Sequence, residues 1–416
     1  MTDRQTSLQE GGTEERRVST QESRSVDEKR VETRSSVTPA SRACRWIAYG
    51  YLASVPFEID LLFAGRSLSF WLALTLIGAV LIDFGVGPAS RSNSRLNARM
   101  LLAVLSLLFY IFASYLWSLD PTATFASAMI FSLTVLTWVA VAVAVSGAVP
   151  RAFQALIFGT SAMSIVAINT EMNIDGRADL TANVNDVAAL LAVASAYLLS
   201  EIIGHHTSAL RKLLFVGVLV LHLMALLATG SRTAVLAVAA AAVVLFTLHL
   251  LRGQFAMLTA VFLFSVVLVS IAPALEIAIP ERIATIPAAL DAGELNSRED
   301  YWELAVDEIP SVVGIGYGAT PSWMAAQIGV RGVVHSVYLG IALELGVIGV
   351  LLWGRFVWHV FQSARMSPQA LSLLSAAAAI AVMASTLTLE ARRPLWVLLA
   401  LMAAHGILLR KECEER

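Results

Sequence analysis

Between residues 331 and 351 the sequence reads Arg-Gly-Val-Val-His-Ser-Val-Tyr-Leu-Gly-Ile-Ala-Leu-Glu-Leu-Gly-Val-Ile-Gly-Val-Leu. Most of this stretch is apolar and predicts a helix that crosses a bilayer, with Arg331 and His335 at its mouth. The two residues are four positions apart, close to one helical turn if the helix extends back that far. We therefore expect the rest of the chain to form a membrane scaffold that holds these groups beside Arg232.

Composition supports a scaffold of this kind. Hydrophobic residues make up 57% of the 416 positions, charged residues only 14%, and the mean hydropathy is +0.72, which excludes a water-soluble globule. Apolar runs of roughly 18 to 25 residues recur along the chain, each long enough to cross a bilayer as a helix. These runs predict an all-α polytopic membrane protein with about 12 transmembrane helices. The expected spans are 46–64, 68–87, 98–118, 123–147, 152–169, 183–203, 211–228, 233–251, 254–273, 335–360, 369–388 and 394–410.

The distribution of basic residues predicts the topology. Arginine and lysine recur in alternate short loops, which is the positive-inside pattern and places both termini in the cytoplasm. The predicted organisation is a disordered tail over 1–42, nine helices over 43–273, an extracytoplasmic segment over 274–334, three helices over 335–410 and a cytoplasmic end over 411–416. A short amphipathic helix is expected in the extracytoplasmic segment from about 298 to 309.

His335 is the only histidine that this topology places at the outer surface. A neutral imidazole there can accept a proton from a hydroxyl, as a general base must, although a histidine at a helix start can also be a cap. Arg232 lies in Ala-Thr-Gly-Ser-Arg-Thr-Ala, where Gly230 and Ser231 separate two apolar runs. This turn favours binding of an oxyanion at a helix N-terminus; the alternative is an arginine that extends its side chain to end the span.

Other polar residues of the outer side are weaker predictions. Trp302 is either an interfacial anchor or a surface for stacking a sugar ring, and Asn185 either binds a substrate hydroxyl or caps a helix. Arg66, Arg282 and Arg392 are expected to pair with acidic residues of the outer loops. Glycines 314, 316 and 318 predict a tight loop. Neither the two cysteines nor any cluster of histidines and carboxylates has metal-ligand spacing, so we expect no metal and no other cofactor.

Several motifs in this order resemble one family. His335-Ser336, followed after nine residues by Gly346-Val347-Ile348-Gly349, is similar to a signature of the O-antigen ligase and polymerase superfamily, although Val350-Leu351 replaces the usual Thr-Gly. Similar motifs elsewhere are Trp117-Ser118-Leu119-Asp120-Pro121, Asn183-Val184-Asn185, Thr229-Gly230-Ser231-Arg232, Ser297-Arg298 with Trp302, and Arg393-Pro394-Leu395-Trp396.

The resemblance implies a metal-independent glycosyltransferase at the outer face of the cell membrane. Its donor would be a glycan on a polyprenyl diphosphate and its acceptor a hydroxyl of a lipid or cell-envelope component. In that scheme Arg232 and Arg331 would hold the diphosphate, and His335 would activate the acceptor. Arg298, Asn185, Ser231 and Trp302 would contact substrate. Nucleic acid is not an expected partner.

Two other functions remain open from the sequence. A polymerase would extend a glycan on its own lipid carrier instead of passing it to a different acceptor. A transporter of an anionic lipid or solute would need polar groups near the middle of several spans, and the predicted spans carry few of these.

Overall fold

The computed structural model describes residues 41–57, 62–63, 65–86, 98–171, 177–180, 182–204, 208–253, 298–309, 313–367 and 369–406. Within these ranges the chain is almost entirely helical. The helices are α1 Arg42–Ser54, α2 Leu68–Val86, α3 Ala98–Ala113, α4 Pro121–Ala144, α5 Val149–Asn169, α6 Val184–Ile203, α7 Ala209–Thr229, α8 Arg232–Leu251, α9 Arg298–Glu308, α10 Thr320–Ile328, α11 Val337–Arg365, α12 Ala370–Thr386 and α13 Arg393–Gly406.

Two short 3-10 turns, Val55–Phe57 and Ser114–Leu116, extend α1 and α3, and a minimal hairpin pairs β1 Leu62–Phe63 with β2 Arg66–Ser67. By length and composition, seven described helices can cross a bilayer: α3 with its 3-10 extension, α4, α5, α6, α7, α8 and α11. Helices α2, α12 and α13 contribute shorter apolar stretches. An all-α polytopic membrane protein is therefore confirmed in class. The predicted span at 254–273 and the tail at 1–40 lie outside the described residues.

The first predicted span is shorter than expected. Helix α1 ends at Ser54, and Pro56 lies in the 3-10 turn that follows, because proline cannot donate the backbone hydrogen bond that would continue an α-helix. The hairpin of β1 and β2 then takes up part of the sequence that was expected to lie near the end of the span.

From α1 to α8, and again from α11 to α13, successive helices run in alternate directions, so one end of the bundle collects the polar connections. We call it the loop end; within the limits of the described residues it comprises 55–67, 114–120, 170–183, 230–231, 298–336 and 387–392. An aromatic cluster fixes α13 in the bundle beneath these connections. Trp396 stacks on Phe356 with ring centroids 5.7 Å apart and meets Trp138 edge-on at 6.3 Å.

Helix α11 is broken at Gly346, which has φ 63° and ψ −164°. This conformation is open to glycine because it has no Cβ. The break frees the carbonyl groups of the turn before it. Ile315 N–H donates to Leu343 O at 3.0 Å, and Gly316 N–H donates to Glu344 O at 2.9 Å.

The loop over residues 313–319 is held from its other side by the segment that joins α3 to α4. Leu119 N–H donates to Ile315 O at 3.0 Å, and the Trp117 indole N–H donates to Val313 O at 3.2 Å. Gly314, Gly316 and Gly318 all have positive φ, between 72° and 101°. The tight loop predicted from their spacing is therefore confirmed.

Replacement of Gly318 by alanine should lower the thermal unfolding midpoint more than the same change at Gly329. The two glycines have nearly equal φ, 75° and 74°, so an alanine pays a similar backbone cost of roughly 1–2 kcal/mol at each. A Cβ at Gly318 would also lie 2.6 Å from Ser127 Cβ, whereas nothing is within 4 Å at Gly329. Unfolding of the purified variants in detergent measures the difference, and equal midpoints would contradict close packing of this loop.

Candidate functional site

Arg232 begins α8 directly after a tight turn at the loop end. Gly230 has φ 60°, a left-handed conformation that ends α7, and Ser231 is the N-cap of α8 with only 4% of its surface exposed. The Thr229 hydroxyl donates to Leu226 O at 2.7 Å and accepts from Ser231 N–H at 3.4 Å. The turn predicted from Gly230 and Ser231 is confirmed. It leaves the half-buried Arg232 at a helix N-terminus, where anions are favoured.

His335 has φ 53° and is the one positive-φ residue other than glycine in the described part of the chain. A left-handed conformation at such a residue costs roughly 1–3 kcal/mol and persists only where the surroundings impose it. Ser336 follows as the N-cap of α11, and its hydroxyl accepts from Leu339 N–H at 3.3 Å. Ser336, and not His335, is therefore the residue that caps α11. The side chain of His335 is half-buried at the start of this helix.

The condition for a helical relation between Arg331 and His335, a helix that extends back to Arg331, is not met. Helix α11 begins at Val337, and residues 331–334 have no regular secondary structure. The cause is the conformation of His335, since a left-handed residue cannot continue a right-handed helix toward the N-terminus.

Trp302 holds the segment before His335 in place. Its indole N–H donates to Val334 O at 2.8 Å, and its ring packs with Tyr301 against a small core that includes Ala305 and Trp323. Helix α9 confirms the helix predicted near 298–309. The indole is thus committed to the backbone beside His335, and contact of its ring with a sugar stays a prediction.

Arg331 is exposed and directed toward the segment between α3 and α4. Its Nη2 donates to Ser322 Oγ at 3.4 Å, and the Ser322 hydroxyl donates to Asp120 Oδ2 at 2.6 Å. Hydrogen bonds from Ser322 and Ala123 N–H, together with the charge of Arg331, hold the pKa of Asp120 below its ordinary value. Asp120 also caps α4. Asp120 lies in the motif at residues 117–121, but its contact with Ser322 could not be predicted from the motif, because only the fold brings α10 beside it.

Helix α12 connects the neighbourhoods of Arg232 and His335. The Thr386 hydroxyl, at its end, donates to Thr233 Oγ1 at 2.9 Å, one residue after Arg232. The Tyr338 hydroxyl, three residues after His335, donates to Ala381 O at 3.1 Å. The arginine turn and the histidine therefore lie at the same end of the bundle, on either side of one helix.

The structure says less about two other predicted substrate contacts, Asn185 and Arg298. Asn183 caps α6 by accepting from Asn185 N–H at 3.0 Å, so the side chain of Asn185 is not the cap. Arg298 begins α9, but its side chain lies outside the described residues. Among the described residues no three histidines, cysteines or carboxylates come together in a way that would hold a metal ion.

Two carboxyl groups, Glu344 in α11 and Glu390 in the loop end, were not predicted as a pair. Glu344, just before the break in α11, accepts from the Thr320 hydroxyl at 2.6 Å and so fixes the start of α10. Glu390 lines a small cavity with Tyr317, and its Oε2 is buried without a hydrogen-bond partner in the described part of the chain. Burial, with added repulsion from Glu344, raises the pKa of Glu390 to about 8.

The family model described as O-antigen ligase matches residues 217–354. This range, about a third of the chain, contains the Arg232 turn, α9, the glycine loop, His335 and the break at Gly346. Over this range the chain is similar to O-antigen ligases. Glycan transfer of the ligase or polymerase type is therefore supported for this multi-pass membrane protein. No curated protein matches the chain.

His335→Gly should be more stable than His335→Ala by roughly 1 kcal/mol, because glycine adopts φ 53° without the cost that alanine pays. Both variants remove the imidazole, so the comparison isolates the backbone. Thermal unfolding in one detergent measures the difference. Equal stability would mean that the left-handed conformation of His335 is not maintained in the folded protein.

The unfolding midpoint of the wild type should fall as pH rises from about 5 to 8. Over this window Glu390 stays protonated in the fold, with its pKa of about 8, but ionises on unfolding near its ordinary value of 4.5, so folding loses stability with rising pH. Glu390→Gln keeps the neutral form and should flatten this dependence. A matched exposed variant, Glu303→Gln on α9, should retain it. The same slope in Glu390→Gln and the wild type would refute the assignment.

Proposed function

We propose that the protein transfers a glycan from a polyprenyl diphosphate to a hydroxyl of a lipid or cell-envelope acceptor, at the extracytoplasmic face of the cell membrane and without a metal. The observation that carries this proposal is the left-handed conformation of His335, at the end of the bundle where the Arg232 turn also lies. A costly conformation at a residue with acid–base chemistry favours function over capping, and Ser336 supplies the cap.

In the proposed reaction the oxygen of the acceptor hydroxyl attacks the anomeric carbon, and His335 accepts the proton of that hydroxyl. The bond from that carbon to the diphosphate oxygen breaks with inversion, and the leaving diphosphate takes the electron pair. Arg232 holds the diphosphate, whose charge grows as it leaves, so this contact stabilises the transition state more than the bound donor. The amide groups at the start of α8 add to the same effect.

Arg331 is proposed as the second cation. Its guanidinium is oriented by Ser322 and lies near the carboxylate of Asp120, which offsets part of its charge. Arg331 therefore suits a contact that forms when substrate arrives, since an exposed arginine with one weak hydrogen bond can exchange partners. Arg298, Asn185, Ser231 and Trp302 are proposed to contact the donor or acceptor.

The proposed topology puts the loop end outside the cell. A lipid-linked donor is already activated and needs no nucleotide, which suits a reaction on that side. The expected positive-inside pattern supports this orientation. A polymerase remains the second proposal, because the family match supports both kinds of transfer.

Purified protein in nanodiscs should form product from a polyprenyl-diphosphate-linked glycan and host envelope lipids in the presence of EDTA. His335→Asn should lower the rate by at least about a hundredfold, because asparagine tolerates a left-handed conformation but cannot act as a base. Arg232→Gln should lower it comparably. Arg252→Gln, at the other end of α8, is the matched control and should be unaffected.

The form of the product separates the candidates. One shifted glycolipid band indicates a ligase, and a ladder of lengthened lipid-linked glycan indicates a polymerase. Wild-type rates in a correctly inserted His335→Asn protein would refute the role of this residue. Movement of donor between leaflets without any product would favour a transporter.

A further inference from the structure

A second cavity, of about 450 Å³, opens between α2, α4 and α13. The described residues that line it come from α1, β2, α2, α4, α13 and the end of the turn before α13, and none comes from α8 or α11. It is therefore built from other elements than those that carry Arg232 and His335. The cavity has two chemically different parts, a cationic mouth and an apolar wall.

The wall follows α4 from Ile130 to Val141, a length of about 16 Å at the rise of an α-helix. Phe70, Trp138 and Trp396 are the aromatic residues that line it, together with aliphatic side chains such as Leu133 and Val141. Spread over that length, the volume gives a cross-section of roughly 30 Å², which suits one extended hydrocarbon chain better than a compact ring system. Water in such a cavity would find few polar partners, so an apolar occupant is favoured.

The mouth carries Arg66, Arg392 and Arg393, and no aspartate or glutamate is among the described residues that line the cavity. Arg393 donates to the hydroxyls of Ser67 and Ser69, which fix the position of its guanidinium. The Arg66 guanidinium lies over the Phe70 ring, 5.7 Å from its centre.

Arg392 is less suited than Arg66 and Arg393 to bind an anion in the mouth of the cavity, because it already has an acidic partner. It pairs with Asp186 at 3.4 Å and is half-exposed. An acidic partner was expected for this residue and is confirmed, whereas Arg66 meets an aromatic ring at the described contact instead of a carboxylate. Two guanidinium groups held in place without a carboxylate among the lining residues are suited to a phosphate, which arginine binds through paired N–H groups.

We propose that this cavity binds a membrane lipid that bears a phosphate. Arg66 and Arg393 hold the phosphate at the loop end, and one hydrocarbon chain of the lipid lies against Trp138 and Trp396 along α4. The positive charge of the mouth favours a phosphate, and the length of the apolar wall favours a hydrocarbon chain, so both features favour a phosphate-bearing lipid. This site does not depend on the proposed transfer reaction and is tested by binding alone.

Native mass spectrometry of the purified protein tests the proposal with four probes: phosphatidylglycerol, undecaprenyl phosphate, diacylglycerol and inorganic diphosphate. At least one of the two phosphate-bearing lipids should be retained as one tightly bound copy, and diacylglycerol should not. Arg66→Gln should weaken this binding about tenfold, the loss of one charge-assisted contact. Arg211→Gln is its control, because Arg211 also lies over a ring, that of Phe215, at the other end of the bundle.

A second, independent experiment fills the cavity with a side chain and measures whether the lipid is still retained. Thr134→Phe places a ring in the cavity and should abolish retention, whereas Thr247→Phe on α8 should not. The two threonines are matched, since each hydroxyl donates to the carbonyl four residues earlier at 2.9 Å.

The outcomes decide the proposal and the identity of the lipid. Retention of undecaprenyl phosphate alone would identify the cavity as a site for polyprenyl lipids, and retention of both lipids would extend it to phosphate-bearing lipids in general. Retention that survives Thr134→Phe would overturn the proposal. The proposal would also be overturned if inorganic diphosphate bound while the retention of both lipids was unchanged by Arg66→Gln and by Thr134→Phe.

Discussion

The break in α11 at Gly346 is the constraint on which the loop end depends. A helix that stops inside an apolar bundle leaves carbonyl groups that must find donors, because an unpaired backbone group costs several kcal/mol in hydrocarbon. The loop over 313–319 supplies them, with Ile315 and Gly316 donating to the carbonyls of Leu343 and Glu344. The glycines of the loop allow the approach, since a Cβ on Gly314 would lie 2.5 Å from the backbone of Glu344.

From that junction the placement of the site follows step by step. Glu344 holds Thr320 and so sets the start of α10, and Ser322 on α10 reaches Asp120 and Arg331. Trp302 then fixes the carbonyl of Val334, and His335 is turned into a left-handed conformation. Residues far from the histidine in sequence thus determine its backbone, which is how a rigid scaffold positions a reactive group.

Arginines at the loop end have two kinds of surroundings. Arg232 begins a helix and Arg331 shares hydroxyl and carboxylate neighbours, as expected of groups that contact a substrate which arrives and leaves. Arg66 and Arg393 instead stand at the mouth of an apolar cavity, held by a ring and by two hydroxyls. The same residue type therefore serves two separate regions, distinguished by what lies behind each guanidinium.

The sequence by itself determined the membrane class, most of the described helix positions, the turn at Gly230 and the tight glycine loop, because hydropathy, glycine and capping residues act locally. It also singled out His335, because this is the only histidine that the predicted topology places at the outer surface. Only the tertiary structure decided that Arg331 is not one helical turn from His335 and that Asp120 is the neighbour of Arg331. It also brings Glu344 and Glu390 near one another. These relations join residues from distant parts of the chain, and a linear pattern does not contain the packing that brings them together.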